Sequence, residues 1–560
     1  MESYRAYRHL AQGLAAAGIS VLRLDYYGTG NSAGGLREEA MVRRWTDSIR
    51  EAITELKRRT GLARVALAGL RMGGSLAALA ANGRDDVSAM AFWEPCANGR
   101  AYVRQIQMLG MANEHSENLP SEMGIEAAGF LFTRPTMADL SALQLTKLEK
   151  LPKVPMLLLS RDDFPEDRKF AAHLEHVGAT VDQASFAGYV KLMTATHESK
   201  LPEPALVDLV SWFEGVFPEP PLTATENAPA GESPSYPSER VVSAPSGAAE
   251  VTERLAHFGQ GLFGVLTAPT SRRFNKPAVL LLNTSADHHV GPHRLYVPLS
   301  REWASQGYAV LRFDIAGVGA SQARPGELES NPYPAHAVYD IGDAVTYLEQ
   351  QGYDKVILAG LCSGAYHAVQ AAHRGVPVAG ALAVNLPFQF APDLSTLDPI
   401  WNDVEMAILG RNLFSTRKWA RFFNGQIRYR YILGLLADRA RLTLISALPK
   451  PLRGAAALEV KKAKTTDFSE LLTPIPMHLI FSNGDPGLGF FEQAIGEMRP
   501  RVMARKGFSM EVLDDADHTF MSVRLQGALV SVLTEALHRQ TEAMSTPPMS
   551  AAMYAPESAK

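Results

Sequence analysis

Lys355–Ala372 reads KVILAGLCSGAYHAVQAA, and Arg64–Ala81 reads RVALAGLRMGGSLAALAA. Each stretch is a short apolar strand, a tight Gly-x-x-x-Gly turn and an Ala-rich helix. A second pair of blocks lies upstream. Ser3–Ser32 (SYRAYRHLAQGLAAAGISVLRLDYYGTGNS) and Pro292–Ser321 (PHRLYVPLSREWASQGYAVLRFDIAGVGAS) each predict an amphipathic helix, a Gly stop and an apolar strand. A Gly-rich turn then follows Asp25 or Asp314. The aspartates are 289 positions apart and the glycines Gly69 and Gly360 are 291 apart. So small a drift over forty-odd residues marks an internal duplication.

Strands that alternate with helices predict an α/β class, with mostly parallel sheets flanked by helices on both faces. Further strands are expected at Val87–Trp93, Met156–Ser160 and Thr180–Phe186, and at Ala278–Asn283, Gly380–Asn385, Met477–Ser482 and Ser509–Leu513. Residues 217–247, rich in Pro, Ser, Ala and Glu, lack apolar periodicity and read as a flexible linker. The boundaries drawn are 1–216, the linker 217–247, 248–540 with a helical cap at about 388–473, and a disordered tail 541–560.

Composition narrows the function. Lys+Arg is 55 against Asp+Glu 59, a net charge of −4, without the basic excess of a general nucleic-acid binder. Cys96 and Cys362 are the two cysteines, too few for a disulfide framework or a cysteine-rich zinc module. No apolar run reaches the roughly 18 residues of a membrane span. The start MESYRAYRHLAQGLAAAG is amphipathic and carries arginines, unlike a secretory signal. A soluble protein of a reducing compartment, the cytoplasm, is expected, with no cofactor or metal motif.

A strand–turn–helix of this kind holds its central residue on a strained turn, at the N-terminus of a helix that favours a thiolate or oxyanion. In the second half that residue is Cys362. Downstream, NGDPG puts Asp485 after one strand and DDADHTF puts His518 after the next. A thiol needs a base and an imidazole needs a carboxylate to fix its tautomer. Cys362, His518 and Asp485 supply these in the chain order nucleophile, acid, base. The rival carboxylates Asp514, Asp515 and Asp517 beside the histidine read as solvated. Ser363 N–H and one donor from the loop Thr284–Ala286, Ser285 in particular, would form an oxyanion hole. Cys96, with no basic partner in view, reads as structural.

Both halves resemble the α/β-hydrolase superfamily, and Gly-Leu-Cys-Ser-Gly resembles the cysteine elbow of dienelactone hydrolases. More narrowly, VGPHRLYV, VLRFDIAGVGAS and GLCSGA resemble one of the two hydrolases associated with the exosortase A system. LRLDYYGTGNSAG, AGLRMGG, FWEPCANGRAY and GYVKLMTATHESKLPE resemble the other. The resemblance implies ester, thioester or acyl-transfer chemistry and no particular product.

The first half departs from the pattern. Arg71 stands at its elbow, with Asp163 and His197 at the later positions. A guanidinium is permanently charged and cannot attack a carbonyl. Either the half is degenerate and kept for packing, or Arg71 holds an anion at a helix N-terminus. The half also has no counterpart of the strand Ala278–Asn283. Either the start of the chain lies further upstream or another segment fills the place.

In the cap, Arg411–Lys464 carries thirteen Lys/Arg against Asp438 and Glu459. This basic island reads as a solvated face, as a dock for an anionic acyl donor such as coenzyme A or an acyl carrier protein, or as a peripheral membrane contact through Trp419, Phe422 and Phe423. The reading favoured is a cysteine-nucleophile hydrolase or acyltransferase; its rival is a non-catalytic binding or scaffold protein. After incubation with an acyl donor, mass spectrometry should find the acyl label on a peptide containing Cys362. Label within residues 1–216 would contradict the assignment of Arg71 as a lost nucleophile.

Overall fold

A computed structural model describes residues 3–112, 123–161, 165–194, 196–218, 239–247, 249–271, 275–387, 475–496 and 499–545. The cap and its basic island, Asp163 and the end of the chain lie outside them.

The second half is built on a nine-stranded sheet. Its strands are β7 (Glu239–Ser243), β8 (Glu250–Phe258), β9 (Leu262–Pro269), β10 (Ala278–Leu282), β11 (Ala309–Asp314), β12 (Val356–Leu361), β13 (Gly380–Val384), β14 (Met477–Ser482) and β15 (Phe508–Leu513). They lie in the order β15-β14-β13-β12-β10-β11-β9-β8-β7. The pairs from β15 to β11 are parallel, and β9, β8 and β7 add antiparallel edge strands. Every residue of β10, β11, β12 and β13 is buried, as their continuous apolar runs require of strands covered on both faces. One face packs beneath helices Ala337–Gln350 and Ser363–His373, the other beneath Tyr296–Ser305 and Val523–Ser545.

The first half repeats part of this plan. Its strands β1 (Val65–Leu70), β2 (Val87–Trp93), β5 (Pro155–Ser160) and β6 (Thr180–Ser185) form a parallel sheet in the order β1-β2-β5-β6. They match β12, β13, β14 and β15. The hairpin β3 (Gly124–Ala127) and β4 (Phe130–Thr133) stands apart.

Three expectations need correction. The strand predicted after Gly18 does not form: Ile19–Asp25 joins no sheet. Its counterpart β11 is held between β10 and β9, and the described first half offers neither neighbour; a strand without a ladder leaves its polar backbone unpaired. The expected linker is shortened by β7, which pairs with β8 and buries Val242. The tail expected from Thr541 begins later, because helix Val523–Ser545 continues past it and Thr541 bonds the hydroxyl of Tyr308 at 3.2 Å.

The halves are joined through a buried ionic cluster. Glu253 on β8 bonds Arg301 at 3.0 Å and Arg312 at 3.1 Å, and Arg240 at 2.6 Å. Burial pushes this carboxyl up, but Arg312, Arg301 and Arg240 outweigh it and hold the value at about 2. The guanidiniums then reach across to the turn Gly30–Gly34. Arg301 and Arg240 donate to Asn31 O at 2.8 and 2.5 Å, and Arg312 to Asn31 Oδ1 at 2.8 Å. Arg294 donates to the carbonyls of Gly30, Ser32 and Gly34. At the far end, Arg8 and His9 bond Glu329 at 2.5 and 2.8 Å.

Removing Glu253 would leave Arg312, whose side chain is fully buried, without its compensating charge. Glu253→Ala should lower unfolding free energy by about 3–5 kcal/mol, read from urea denaturation. An unchanged midpoint would show the cluster to be dispensable.

Candidate active site

The elbow forms because two glycines let a strand and a helix meet. A Cβ on Gly360 would lie 2.4 Å from the carbonyl carbon of Gly364, and one on Gly364 would lie 2.8 Å from Leu282 O. Between them Cys362 sits at φ 55°, ψ −117°, a conformation L-residues avoid. Its N–H donates to Val384 O at 2.9 Å, so the strained residue is fixed by β13. The sulfur is half-buried at the start of helix Ser363–His373.

Asp485 and His518 come from the turns after β14 and β15. Asp485 is buried and caps helix Pro486–Ile495, accepting from Gly487 N–H at 2.7 Å through Oδ1. Its other oxygen bonds His518 Nδ1. Burial disfavours the His518 imidazolium, yet the value stands well above the histidine range. The charge on Cys362 is the largest upward cause, followed by hydrogen bonds to Asp485 and to the sulfur. Asp485 and His518 are thus paired, and His518 lies near enough to Cys362 for the charge on the sulfur to act on its imidazole. Of the rival carboxylates, Asp514 and Asp515 are exposed. Asp517 instead accepts from the N–H groups of Thr519 and Met521, shaping the histidine turn.

Several positioning residues were not foreseen. Asn385, at φ 46°, accepts from Ser482 N–H at 2.7 Å and donates to His518 O at 2.8 Å, tying the two turns together. Ser482 Oγ donates to Asp517 O at 2.9 Å. Tyr333 Oη lies 3.9 Å from Cys362 Sγ. Burial first, then the charge on the sulfur, raises the phenol well above its usual value and keeps the proton on the oxygen. Nothing in the Asn331–Pro334 stretch, NPYP, signals this contact across sequence.

The expected oxyanion donors are adjacent but engaged. Ser285 N–H donates to Ser363 Oγ at 2.7 Å, and Ser363 Oγ donates in turn to Asn283 O at 3.3 Å. That Ser285 N–H would have to exchange partners to reach a substrate oxygen. Ser285 Oγ meets His197 Nδ1 of the first half at 3.2 Å. The histidine at the first half's base position therefore faces the second half's loop.

Arg71 repeats the strained elbow at φ 53°, ψ −125°. Its guanidinium donates to Gln105 Oε1 at 2.6 Å, pairs with buried Glu94 at 3.5 Å and lies over the Tyr189 ring. Glu94 already balances this charge, which removes the reason to read Arg71 as an anion holder. Cys96 is buried, its N–H bonded to Ser75 Oγ at 2.9 Å.

Comparison with known proteins agrees with the architecture. Residues 1–139 match the model of the serine aminopeptidase family S33, and residues 279–528 match that of the alpha/beta hydrolase family. Similar solved structures include a proline iminopeptidase from Mycobacterium smegmatis, 16% identical over 52% of this chain and 99% of that one, with a TM-score of 0.34. Another is a dienelactone hydrolase from Anabaena variabilis, 15% identical over 52% and 98%, with a TM-score of 0.31. An esterase from Pyrococcus furiosus is 14% identical over 51% and 90%, with a TM-score of 0.33. No curated protein is similar in sequence. The fold is the α/β-hydrolase fold, with two such regions in tandem.

A raised His518 value has a definite sign. Its protonated form stabilises the fold fully below the unfolded histidine value of about 6.5, and that contribution is lost as pH rises through the folded value. In an NMR titration, His518 should stay protonated above the usual range in the wild type. The value should fall in Cys362→Ala, where the largest upward cause is gone. An unchanged value would make Asp485 the dominant influence.

Proposed function

We propose that the second half is a cysteine-nucleophile hydrolase or acyltransferase acting on esters or thioesters through a covalent acyl-enzyme. The observation that carries this reading is the Asp485–His518 pair beside Cys362, whose sulfur stands on a strained turn at a helix N-terminus. Cys362 Sγ adds to the acyl carbonyl, and the oxyanion is met by Ser363 N–H and one donor of Thr284–Ala286. As the tetrahedral adduct collapses, the carbon–heteroatom bond breaks and the imidazolium of His518 protonates the leaving alcohol or thiol. His518 then takes a proton from water or an acceptor hydroxyl as that oxygen attacks the acyl-cysteine, and returns it to the departing sulfur. Asp485 holds the imidazole in the required tautomer. Tyr333 Oη can donate to the sulfur while it is charged.

The two family-model matches support the hydrolase reading. The likeness to the exosortase A-associated pair adds only the expectation of acyl or ester substrates. Asn385 and Ser482 support it too, because a base held by two tied turns keeps its alignment through both half-reactions. The first half then serves as a non-catalytic domain. A cytoplasmic location belongs to the same proposal, since the mechanism needs a reduced thiol.

Cys362→Ala should abolish turnover of activated esters or thioesters, and His518→Ala should cost a comparable factor because nucleophile and base act as a unit. Full turnover in Cys362→Ala would overturn the mechanism and favour a binding or scaffold protein. For the acyl donor, the basic stretch Arg411–Lys464 points to coenzyme A or an acyl carrier protein. Their attraction should weaken with salt, as the Debye length shrinks from about 10 Å at 0.1 M to about 3 Å at 1 M. The kcat/KM for such thioesters should fall with ionic strength while that for a small neutral ester holds. Equal salt dependence would remove the docking role, and vesicle co-sedimentation would then test a membrane contact.

A further inference from the structure

The loop that carries the second oxyanion donor is clasped from the other half of the molecule. It leaves β10, passes through Thr284–Ala286, and turns three side chains toward first-half residues. Ser285 Oγ bonds His197 Nδ1 at 3.2 Å, and Asp287 Oδ1 accepts from Thr196 Oγ1 at 3.0 Å. The ring of His288 stacks on that of Tyr4, with centroids 4.1 Å apart and planes 15° from parallel.

The first-half side of the clasp is itself anchored. Ser199 is buried, donates through Oγ to Leu192 O at 2.9 Å, and accepts from Arg5 at its carbonyl. Arg5 also donates to Ser330 Oγ of the second half at 2.7 Å. Thr196 and His197 therefore stand on a segment tied to both halves.

The work that Ser285 has to do gives the clasp its meaning. Ser285 is a non-glycine residue at φ 53°, a conformation that persists only where its surroundings hold it. Its N–H donates to Ser363 Oγ at 2.7 Å, and that bond ties the loop to the elbow. A developing oxyanion needs the same N–H, so the tie to the elbow is released just when the donor must be well placed. A misplacement of about 1 Å can cost a hundredfold in rate. The contacts made by Ser285 Oγ and by Asp287 do not use that N–H, and they survive the exchange. They come from His197 and Thr196.

We propose that His197 and Thr196 are positioning residues, which hold Ser285 in place while its N–H passes from Ser363 to the oxyanion. The inference rests on the acyl-enzyme reading above. Before reaction the loop is tied through Ser363, so substrate binding does not need the clasp. Both half-reactions pass through an oxyanion, so both need it, and the effect belongs in kcat rather than KM.

Steady-state kinetics on an activated ester, set beside the rate at which iodoacetamide alkylates Cys362, tests this in the full chain. Alkylation displaces iodide at a saturated carbon and develops no oxyanion, so it reports the elbow and its base alone. The double variant Thr196→Val/His197→Ala should lower kcat about tenfold and leave KM within about twofold. Its alkylation rate should equal that of the wild type. His197→Asn, with Thr196 kept, should recover most of the lost kcat, because its side-chain amide can still bond Ser285 Oγ. An unchanged kcat, a parallel loss of alkylation, a loss confined to KM, or a His197→Asn variant as slow as the double one overturns the proposal and leaves the acyl-enzyme reading standing. A wild type without Cys362-dependent turnover overturns that reading, and this proposal with it.

Discussion

The arrangement depends on one backbone constraint, a non-glycine residue held at positive φ where a strand turns sharply into a helix. Such a conformation costs about 1–3 kcal/mol and persists only where its surroundings leave no alternative. Here β13 fixes Cys362 through Val384 O, and Gly360 and Gly364 let helix Ser363–His373 approach the sheet within a distance no side chain permits. The reward of that strain is direction. The sulfur stands clear of the sheet at a helix N-terminus, where turns from β14 and β15 can reach it. Arg71 adopts nearly the same φ and ψ, so the turn does not depend on a cysteine at its centre.

The two halves differ through a linked pair of positions. The register that aligns Cys362 with Arg71 also aligns Asn385 with Glu94, and both of the latter have positive φ. In the second half Asn385 is neutral and bonds the turns that carry Asp485 and His518. In the first, Glu94 is a carboxylate beside the guanidinium of Arg71 and accepts from Arg161 N–H at 3.1 Å. Each residue suits the other, because the buried carboxylate of Glu94 needs a compensating charge and Arg71 supplies it. Where the second half's elbow carries a thiol, the first half's carries one side of an ion pair.

What could be read in the sequence was what local pattern determines. The elbows at Arg71 and Cys362, the strands Val87–Trp93 and Met477–Ser482, and the turns carrying Asp485 and His518 are short-range features of apolar runs, glycines and turn residues. The strand expected at Ile19–Asp25 has the same local pattern as β11 and does not form, because a strand exists only by virtue of neighbours the pattern does not contain. β7 was hidden for the opposite reason. Its residues lie at the end of a polar stretch, and what orders them is β8 together with the pairing of Arg240 and Glu253. Tyr333 and Asn385 meet the site across long sequence separations, with no motif to announce them.

The contact between the halves explains how the four-stranded sheet of the first half is held in place. Arg294, Arg301, Arg312 and Arg240 all belong to the second half, and they grip backbone carbonyls or an amide side chain on the first half's Gly30–Gly34 turn. Backbone carbonyls are present whatever the side chains become, so this grip tolerates sequence change in the partner while demanding its turn geometry. Asp25 enforces that geometry by accepting from Asn31 N–H at 2.9 Å, as Asp314 does from Ala320 N–H at 2.9 Å in the other half. The first half is therefore fastened by the part of the duplicated fold it has kept most faithfully. That fastening also brings His197 against Ser285, so the loop beside Cys362 is shaped in part by a residue of the first half.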